Sequence, residues 1–301
     1  MLRIFGRLAI MLVVTMCAAC GRMEQSSRAR PGDGAVIYQS TILTMDPRRP
    51  SAEAVIVKDG VIVDVGAIDD LVQAYPGAAF DERFLRRTLL PAFVDVRVPP
   101  NSPGVVEVPC QGALLAEEVV AAAADGAPVR VVALGHVALA AAIEAVRRIP
   151  ADAAIGRLSV EARGAVAPET ARLLAAIDVP LILSGDPVAD ACDPAAPADG
   201  DESDDQVISG AIAIALAAGD DRFLAAAGAR LRDSGAVRLT PQEALEAITA
   251  DAAFALGDEL SRGAIAPGRR ADFAALDRNP LATPGEAWAA IAVEVFPAAA
   301  P

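Results

Sequence analysis

Residues 239–257, LTPQEALEAITADAAFALG, indicate more about the fold of this chain than any other stretch. Thr240 precedes a proline and is followed three positions later by Glu243, which is the pattern of a capping box. Residues that favour helices continue from there to Gly257, and glycine is typical of the end of a helix. The stretch therefore predicts one continuous helix over residues 241–256.

Short β-strands are predicted towards both ends of the chain. Residues 262–281, RGAIAPGRRADFAALDRNPL, place turn residues between short apolar pieces. Residues 35–66 alternate in the manner of strands, and VIVKDGVIVDV (55–65) contains two β-branched runs joined through Asp59 and Gly60. Asp-Gly between such runs is a strong hairpin signal. We therefore expect the mature protein to begin with a small β-module.

The middle of the chain alternates strand-like and helix-like stretches. The strand-like runs are LLPAFVDV (89–96), VRVVAL (129–134), RLSVE (157–161) and VPLILS (179–184). Alanine-rich stretches that predict helices lie at 114–124, 137–148 and 168–176, with further helices predicted at 207–218 and 221–232. Because strands that alternate with helices form parallel β/α units, this region predicts an α/β fold.

The first residues have the three-part layout of a secretory signal. Two arginines precede the apolar run LAIMLVVTM, and small residues precede Cys20. The run is short for a transmembrane helix, and the small residues before Cys20 resemble a bacterial lipobox, although Cys17 stands where leucine is usual. We expect residues 1–20 to be a lipoprotein signal and residues 21–34 a flexible tether. Lipidation at Cys20 would make the protein a membrane-anchored lipoprotein of the bacterial cell envelope, in the periplasm. Plain secretion and an uncleaved anchor are the alternatives.

The net charge of the chain limits the classes of molecule that it is expected to bind. The formal net charge of the 301 residues is −14, which argues against non-specific binding to nucleic acid or anionic lipid. The acidic segment 186–205 predicts a solvated loop, and a calcium site is the alternative, although its spacing does not match a twelve-residue calcium loop. The sequence does not identify a small-molecule ligand.

Export would also decide the state of the cysteines. With Cys17 removed and Cys20 acylated, Cys110 and Cys192 remain in an oxidising compartment. A disulfide between these two is one expectation, and two buried thiols are the other.

The N-terminal β-module that leads into LLPAFVD (89–95), together with the two C-terminal motifs quoted above, resembles the amidohydrolase superfamily. The nearest resemblance is to the branch that includes N-substituted formamide deformylase. It implies a metal-dependent TIM-like barrel flanked by a β-sandwich built from both chain ends. On that basis residues 35–88 and 258–301 would form the sandwich, and residues 89–257 the barrel.

The resemblance also implies where a metal should bind. The family holds zinc or another divalent ion with a His-x-His pair after the first barrel strand, further histidines on the fifth and sixth strands, and an aspartate after the eighth. The ion lowers the pKa of bound water, and the aspartate shuttles its proton. The corresponding positions of this sequence are Arg97, Pro99, Val132, Glu161 and Asp186. Asp186 alone keeps the expected residue type, and it is the candidate catalytic residue.

The number of histidines and the length of the barrel region both agree with the loss of that metal centre. The chain contains one histidine, His136, so no alignment can produce a four-histidine site. His136 follows a strand, but no nucleophile motif accompanies it, and we expect it to be structural or exposed. About 160 residues separate Asp95 from Gly257, whereas a complete (β/α)8 barrel takes about 250 residues. The sequence therefore predicts a truncated TIM-like barrel.

Arg97 suggests what replaces the metal. Its guanidinium could form an ion pair with Asp186 or Glu161, and a solvent-facing arginine at an open barrel rim is the alternative. Two functions follow from the resemblance. The first is an exported, non-catalytic, pseudoenzyme-like lipoprotein without a metal cofactor. The second is an active hydrolase acting on carbon–nitrogen, but not peptide, bonds.

Overall fold

The structure is a computed structural model. It describes residues 32–97, 102–110, 112–123, 128–150, 152–153, 156–163, 166, 168–184, 212–215, 222–231 and 239–298. The described strands are β1 (Val36–Leu43), β2 (Ser51–Lys58), β3 (Val61–Gly66), β4 (Ala79–Asp81), β5 (Thr88–Pro91), β6 (Val105–Val108), β7 (Val129–Leu134), β8 (Leu158–Arg163), β9 (Leu181–Ser184), β10 (Ile212–Ala215), β11 (Phe273–Leu276) and β12 (Val293–Phe296). The described helices are α1 (Ile68–Ala74), α2 (Ala116–Ala122), α3 (Gly135–Arg147), α4 (Pro168–Ala176), α5 (Phe223–Ala229), α6 (Pro241–Glu246) and α7 (Ala250–Leu256).

The first sheet combines strands from both ends of the chain. Its described strands follow the order β12-β11-β5-β1-β2-β3, and β4 pairs with β1. The predicted hairpin joins β2 to β3, and both of its central residues have positive φ, 51° at Asp59 and 75° at Gly60. These angles suit the tight turns that match the twist of the flanking strands. The composite β-module is therefore confirmed.

An aromatic cluster occupies one face of this sheet. The ring of Phe84 lies 5.2 Å from that of Tyr38 and 4.7 Å from that of Phe296, measured between centroids. Phe273 of β11 completes the group, 6.3 Å from Phe84. Tilted and edge-on contacts of this kind stabilise a core beyond the area they bury. The cluster joins strands from the two ends of the chain.

The second sheet is parallel throughout. Its five described strands run in the order β10-β9-β8-β7-β6, so neighbours in the chain are neighbours in the sheet. The outer face carries Val129, Val131 and Ala133 of β7 and packs against Ala138 and Ala142 of α3. A complete (β/α)8 barrel has eight strands. The described part of the chain therefore agrees with the predicted α/β fold and with a truncated barrel.

The first predicted barrel strand is divided between the two parts of the fold. Leu89 and Leu90 belong to β5, which pairs with β1 and β11 in the composite sheet. The prediction that this run opens the barrel is therefore wrong for its first half, and the predicted boundary between residues 88 and 89 falls inside β5. Val94 and Val96 continue as a segment without strand pairing and are buried against Ile182. A run buried on both sides looks the same in sequence whichever sheet takes it.

The predicted helix at 207–218 is also wrong where the structure describes it. Residues 212–215 form β10 and pair in parallel with β9. Ile212 and Ile214 face the outer core, whereas Ala213 faces the inner side. This alternation has the period of a strand, and tertiary pairing outweighs the helical preference of alanine.

The predicted helix over 241–256 divides into α6 and α7. The carbonyls of Ala247 and Ile248 accept hydrogen bonds from Ile214 at 3.1 Å and Val94 at 2.9 Å. In a continuous helix those carbonyls would accept from residues four positions later. The break therefore ties the C-terminal helices to β10 and to the segment after β5. The predicted ends are confirmed, because Thr240 and Glu243 form a capping box and Gly257 is left-handed.

Trp288 anchors the last segment before β12. It lies in a short 3-10 helix, Gly285–Ala290, and its indole N–H is 2.9 Å from the Thr283 carbonyl. The ring is fully buried in the cluster that contains Leu224 of α5 and Leu276 of β11. None of the helices in the described ranges is long and apolar enough to cross a membrane.

Candidate functional site

The inner face of the parallel sheet carries the residues predicted at the metal positions of the fifth and sixth strands. Val132 of β7 is the register partner of Glu161 of β8. Two residues earlier on each strand, Arg130 is the register partner of Ser159. Side chains of a strand alternate between its two faces. Because Val131 and Val160 pack on the outer face, Arg130, Val132, Ser159 and Glu161 share the inner one. The register therefore brings Val132 and Glu161 together, as the sequence predicts.

Arg130 is the buried cation of this face. Only 5% of the residue is exposed. Its Nη1 donates a short hydrogen bond to the Val96 carbonyl and lies 3.4 Å from Oε2 of Glu161. Burial lowers the pKa of Arg130, the Glu161 carboxylate opposes that shift, and Arg163 adds to it. Arginine nevertheless keeps its charge in proteins. The guanidinium is thus a permanent positive charge between β8 and the segment after β5.

Glu161 is bound on both of its oxygens. Its Oε1 accepts from Nε of Arg163 at 2.9 Å, and its Oε2 faces Arg130. Only 4% of Glu161 is exposed, whereas the Arg163 side chain is 26% exposed. A buried carboxylate needs such partners because its desolvation is costly. Glu161 is therefore the anionic centre of an Arg130–Glu161–Arg163 cluster.

Arg97 forms an ion pair with Asp95. Of its two predicted partners, Glu161 is paired elsewhere and Asp186 lies outside the described residues. Its Nε lies 2.8 Å from both oxygens of Asp95, and its backbone N–H donates to Asp95 at 2.9 Å. Glu161 is paired instead with the two arginines of the cluster. Both members of the Arg97–Asp95 pair are partly exposed, while Val94 and Val96 on either side of Asp95 are buried. Hydrogen bonding to Arg97 lowers the pKa of Asp95.

Several predicted positions fall outside the described residues. These are Pro99, Asp186, Cys192 and the lipidation candidate Cys20. Cys110 is disulfide-bonded, and every other cysteine of the chain lies outside the described residues. Pairing of Cys110 with Cys192 therefore stays a prediction. His136 is exposed at the second position of α3, which is one of the two placements expected for it.

Among the residues that the structure describes, the inner face does not offer the donors that a divalent metal needs. Val132 has no donor atom, Arg97 is a cation, and both oxygens of Glu161 face guanidinium groups. Zinc sites use neutral imidazole, thiolate or carboxylate donors, usually four of them. Within the described ranges, no group of three or more His, Cys, Asp or Glu side chains could hold a metal ion. The residues present at these positions therefore do not fit the expected metal.

Arg130 is the charged residue of the candidate site that the sequence interpretation missed. It interrupts VRVVAL, a run that is otherwise apolar and lies in the middle of a sheet. Charged residues are almost never fully buried unless they are paired. A charge in a strand buried on both faces is thus the signal that could have identified the residue.

Asp251 adds a partly buried acid that contacts the edge of the same sheet. Its Oδ2 accepts from the Ile212 N–H at 3.1 Å, where α7 covers the start of β10. Burial raises the pKa of Asp251 to about 7, and Glu246 and Glu243 contribute in the same direction. The group therefore titrates close to neutral pH. It contacts the amino end of β10, whereas barrel enzymes place catalytic residues at the carboxyl ends of the strands.

An open cleft of about 720 Å³ lies at the amino ends of the parallel strands. Its lining includes Pro128, Leu158 and Val179, which precede or begin β7, β8 and β9. Arg157 on its wall stacks over the ring of Phe254 at 3.7 Å and pairs with Glu259. Because active sites of this architecture lie at the opposite edge, the cleft is not the expected mouth of a catalytic site.

Comparisons with known proteins agree with this fold. Residues 222–295 match a family model described as the amidohydrolase family. An amidohydrolase from Thermotoga maritima MSB8 is 13% identical with a TM-score of 0.55, and the match covers 87% of this chain and 98% of that chain. An ochratoxinase from A. niger is 13% identical with a TM-score of 0.56, covering 83% and 91%. An uncharacterized metal-dependent hydrolase from Pyrococcus furiosus is 10% identical with a TM-score of 0.54, covering 82% and 100%.

No curated protein matches the sequence. At identities of 10–13% the solved structures support the fold alone. The narrower resemblance, to the branch that includes N-substituted formamide deformylase, stays a prediction.

Proposed function

We propose that this chain is a member of the amidohydrolase superfamily, supported by the family model that matches residues 222–295, and that it is an exported, non-catalytic member in which ion pairs stand in place of the metal centre. The observation that carries the proposal is the Arg130–Glu161–Arg163 cluster on the inner face of the parallel sheet. A guanidinium already neutralises the carboxylate that stands at a ligand position, and a second cation beside it would be repelled.

The composition of the whole chain supports the same proposal. One histidine in 301 residues leaves the family's His-x-His pair and its two further histidines without counterparts. A metal-bound hydroxide is the nucleophile that the fold normally supplies, so its loss removes the means of attacking a carbonyl. The retained fold would then serve binding or a structural role in the cell envelope, since function depends on the site rather than on the fold.

Metal analysis of the purified mature protein tests this proposal. The protein is produced in medium supplemented with zinc, iron and manganese, and its metal content is measured by inductively coupled plasma mass spectrometry. A metal-dependent hydrolase purified in parallel serves as the control for metal loss. We expect far less than one ion per chain. Stoichiometric metal would contradict the proposal and favour the second function, hydrolysis of carbon–nitrogen bonds other than peptide bonds.

We also propose that the mature chain is anchored to the membrane through lipid on Cys20. The support is the signal-like layout of residues 1–20 and the small residues that precede this cysteine. Cells that produce the full-length chain are labelled with an alkyne analogue of palmitate. We expect labelling of the wild type and of the matched control Cys17→Ser, and no labelling of Cys20→Ser. Label retained on Cys20→Ser would contradict the anchor.

A further inference from the structure

The guanidinium of Arg130 ends beside the predicted metal positions on β7 and β8. Val132 and Glu161 stand opposite one another across β7 and β8, at two positions where the family resemblance expects metal ligands. Arg130 lies two residues before Val132 on the same face, and its Nη1 reaches the level of Glu161. The same nitrogen donates to the carbonyl of Val96. A cation, the guanidinium of Arg130 itself, is therefore present beside the two strands at which the family resemblance expects metal ligands.

We propose that the Arg130 guanidinium is the resident cation of the inner face, and that its removal leaves a binding site for a small planar organic cation such as guanidinium. This inference deepens the proposed function and rests on it. The site would be walled by the Glu161 carboxylate and the Val96 carbonyl, which accept the hydrogen bonds of Arg130.

The geometry distinguishes an organic cation from a metal. Each acceptor is an oxygen that binds one N–H of a guanidinium, a group whose donors lie in one plane. A divalent ion needs four to eight donor atoms, and these two groups supply too few of them. The guanidinium ion should therefore restore an Arg130→Ala variant, whereas zinc or magnesium should not.

The variant is expected to lose much of its stability. Removing one member of a buried ion pair leaves the other charge without a partner, so the unfolding temperature of Arg130→Ala should fall by about 6–20 °C. The matched control is Arg163→Ala, which contacts the other oxygen of Glu161 but is 26% exposed. Glu161 keeps its pair with Arg130 in that variant, so a smaller fall, of about 0–4 °C, is expected.

The test measures the unfolding temperature of both variants during titration with low millimolar guanidinium chloride. Potassium chloride at the same ionic strength, zinc chloride and magnesium chloride are the comparison salts. We expect a saturable rise with guanidinium that recovers at least half of the loss in Arg130→Ala and leaves Arg163→Ala and the wild type unchanged. The proposal is overturned if folded Arg130→Ala gains nothing from guanidinium, or gains as much from potassium or zinc.

A second pair of variants keeps the test decisive if Arg130→Ala does not fold. Arg130→Met leaves Glu161 charged, whereas Arg130→Met combined with Glu161→Gln removes both charges. Replacing both members of a buried pair is often neutral. The double variant should therefore unfold at a higher temperature than Arg130→Met alone, and a double variant of equal or lower stability overturns the proposal. If these experiments fail and the wild type contains no metal, only the proposed role of Arg130 is contradicted. If the wild type contains metal, the proposed function is contradicted.

Discussion

In the seven-stranded sheet the rings of Tyr38, Phe84 and Phe273 meet in an apolar cluster, whereas the five-stranded sheet buries Arg130 and Glu161 on its inner face. The first sheet joins the two chain ends through packing that any sequence of similar shape and hydrophobicity could provide. The second depends on two charges that must be present together. The comparison teaches that the two sheets are stabilised in different ways, the first by apolar packing and the second by paired charges on its inner face.

The largest effect is expected from the aromatic cluster. Phe84→Ala removes a ring that is 2% exposed and contacts three others, so it should lower the free energy of unfolding by about 3–5 kcal/mol. Because the loss is apolar, it should be the same at low and high salt. Urea denaturation measures it, and Phe80→Ala, at a residue that is 56% exposed, is the control with little expected change. Equal losses in the two variants would contradict the assignment of the cluster.

A somewhat smaller effect is expected from the ion cluster. Glu161→Gln keeps the shape of the side chain but leaves the buried Arg130 without a counter-charge, at a cost of about 3 kcal/mol. Glu259→Gln is the matched control, because Glu259 pairs with Arg157 where both side chains are partly exposed, and its loss should be below about 1 kcal/mol. Urea denaturation of both variants measures the difference. If the two variants lose the same stability, the buried cluster does not distinguish the second sheet.

The raised pKa of Asp251, which contacts the parallel sheet, predicts that the stability of the protein depends on pH. Its pKa is about 7 in the folded chain and near 3.8 when exposed, so the folded state keeps a proton that the unfolded state loses between these values. Stability should therefore fall as the pH rises through this window. Asp251→Asn, which keeps an oxygen for the Ile212 N–H, should stabilise the protein at pH 8, on the order of 2 kcal/mol.

The difference between Asp251→Asn and the wild type should vanish towards pH 4, and unfolding temperatures across pH 4–8 measure it. Asp81→Asn in the other sheet supplies a control of opposite sign, because hydrogen bonding to Arg83 lowers the pKa of Asp81. That variant should be the less stable protein at neutral pH and should approach the wild type on acidification. A constant offset for Asp251→Asn at every pH would contradict a carboxyl group that stays protonated in the folded chain.

The smallest effect is expected at Arg97. Its pair with Asp95 is partly exposed, so Arg97→Ala should cost no more than about 1 kcal/mol, and less at high salt. Unfolding at two salt concentrations measures this. A loss as large as that of Glu161→Gln would identify Arg97, rather than Arg130, as the cation on which the fold depends.

The sequence predicts best the features that are encoded locally. The Asp59-Gly60 hairpin and the capping box of Thr240 each need only a few neighbouring residues, and both are present. The ends of the C-terminal helical region were predictable for the same reason. Its break at Ala247 was not, because it depends on hydrogen bonds from distant strands.

The remaining errors arise from pairing in three dimensions. Leu89 and Leu90 are buried on both faces, so their pattern does not indicate which sheet contains them. The alternating Ile–Ala pattern of 212–215 fits both an alanine-rich helix and a strand, and only its pairing with β9 decides. For the site, the loss of metal ligands at Val132 and Glu161 stays a prediction. The sequence analysis considered only Arg97 as the cation beside Glu161, because the reach of Arg130 to Glu161 depends on the register of β7 and β8.

The most direct test of the account compares the unfolding temperature of the purified wild-type protein before and after exhaustive dialysis against a strong chelator. If ion pairs stabilise the inner face in place of a metal, the two temperatures will agree and added zinc, manganese or iron will not raise either one. A fall after chelation that is reversed by one of these ions would show that a metal stabilises the folded state, and it would contradict the account.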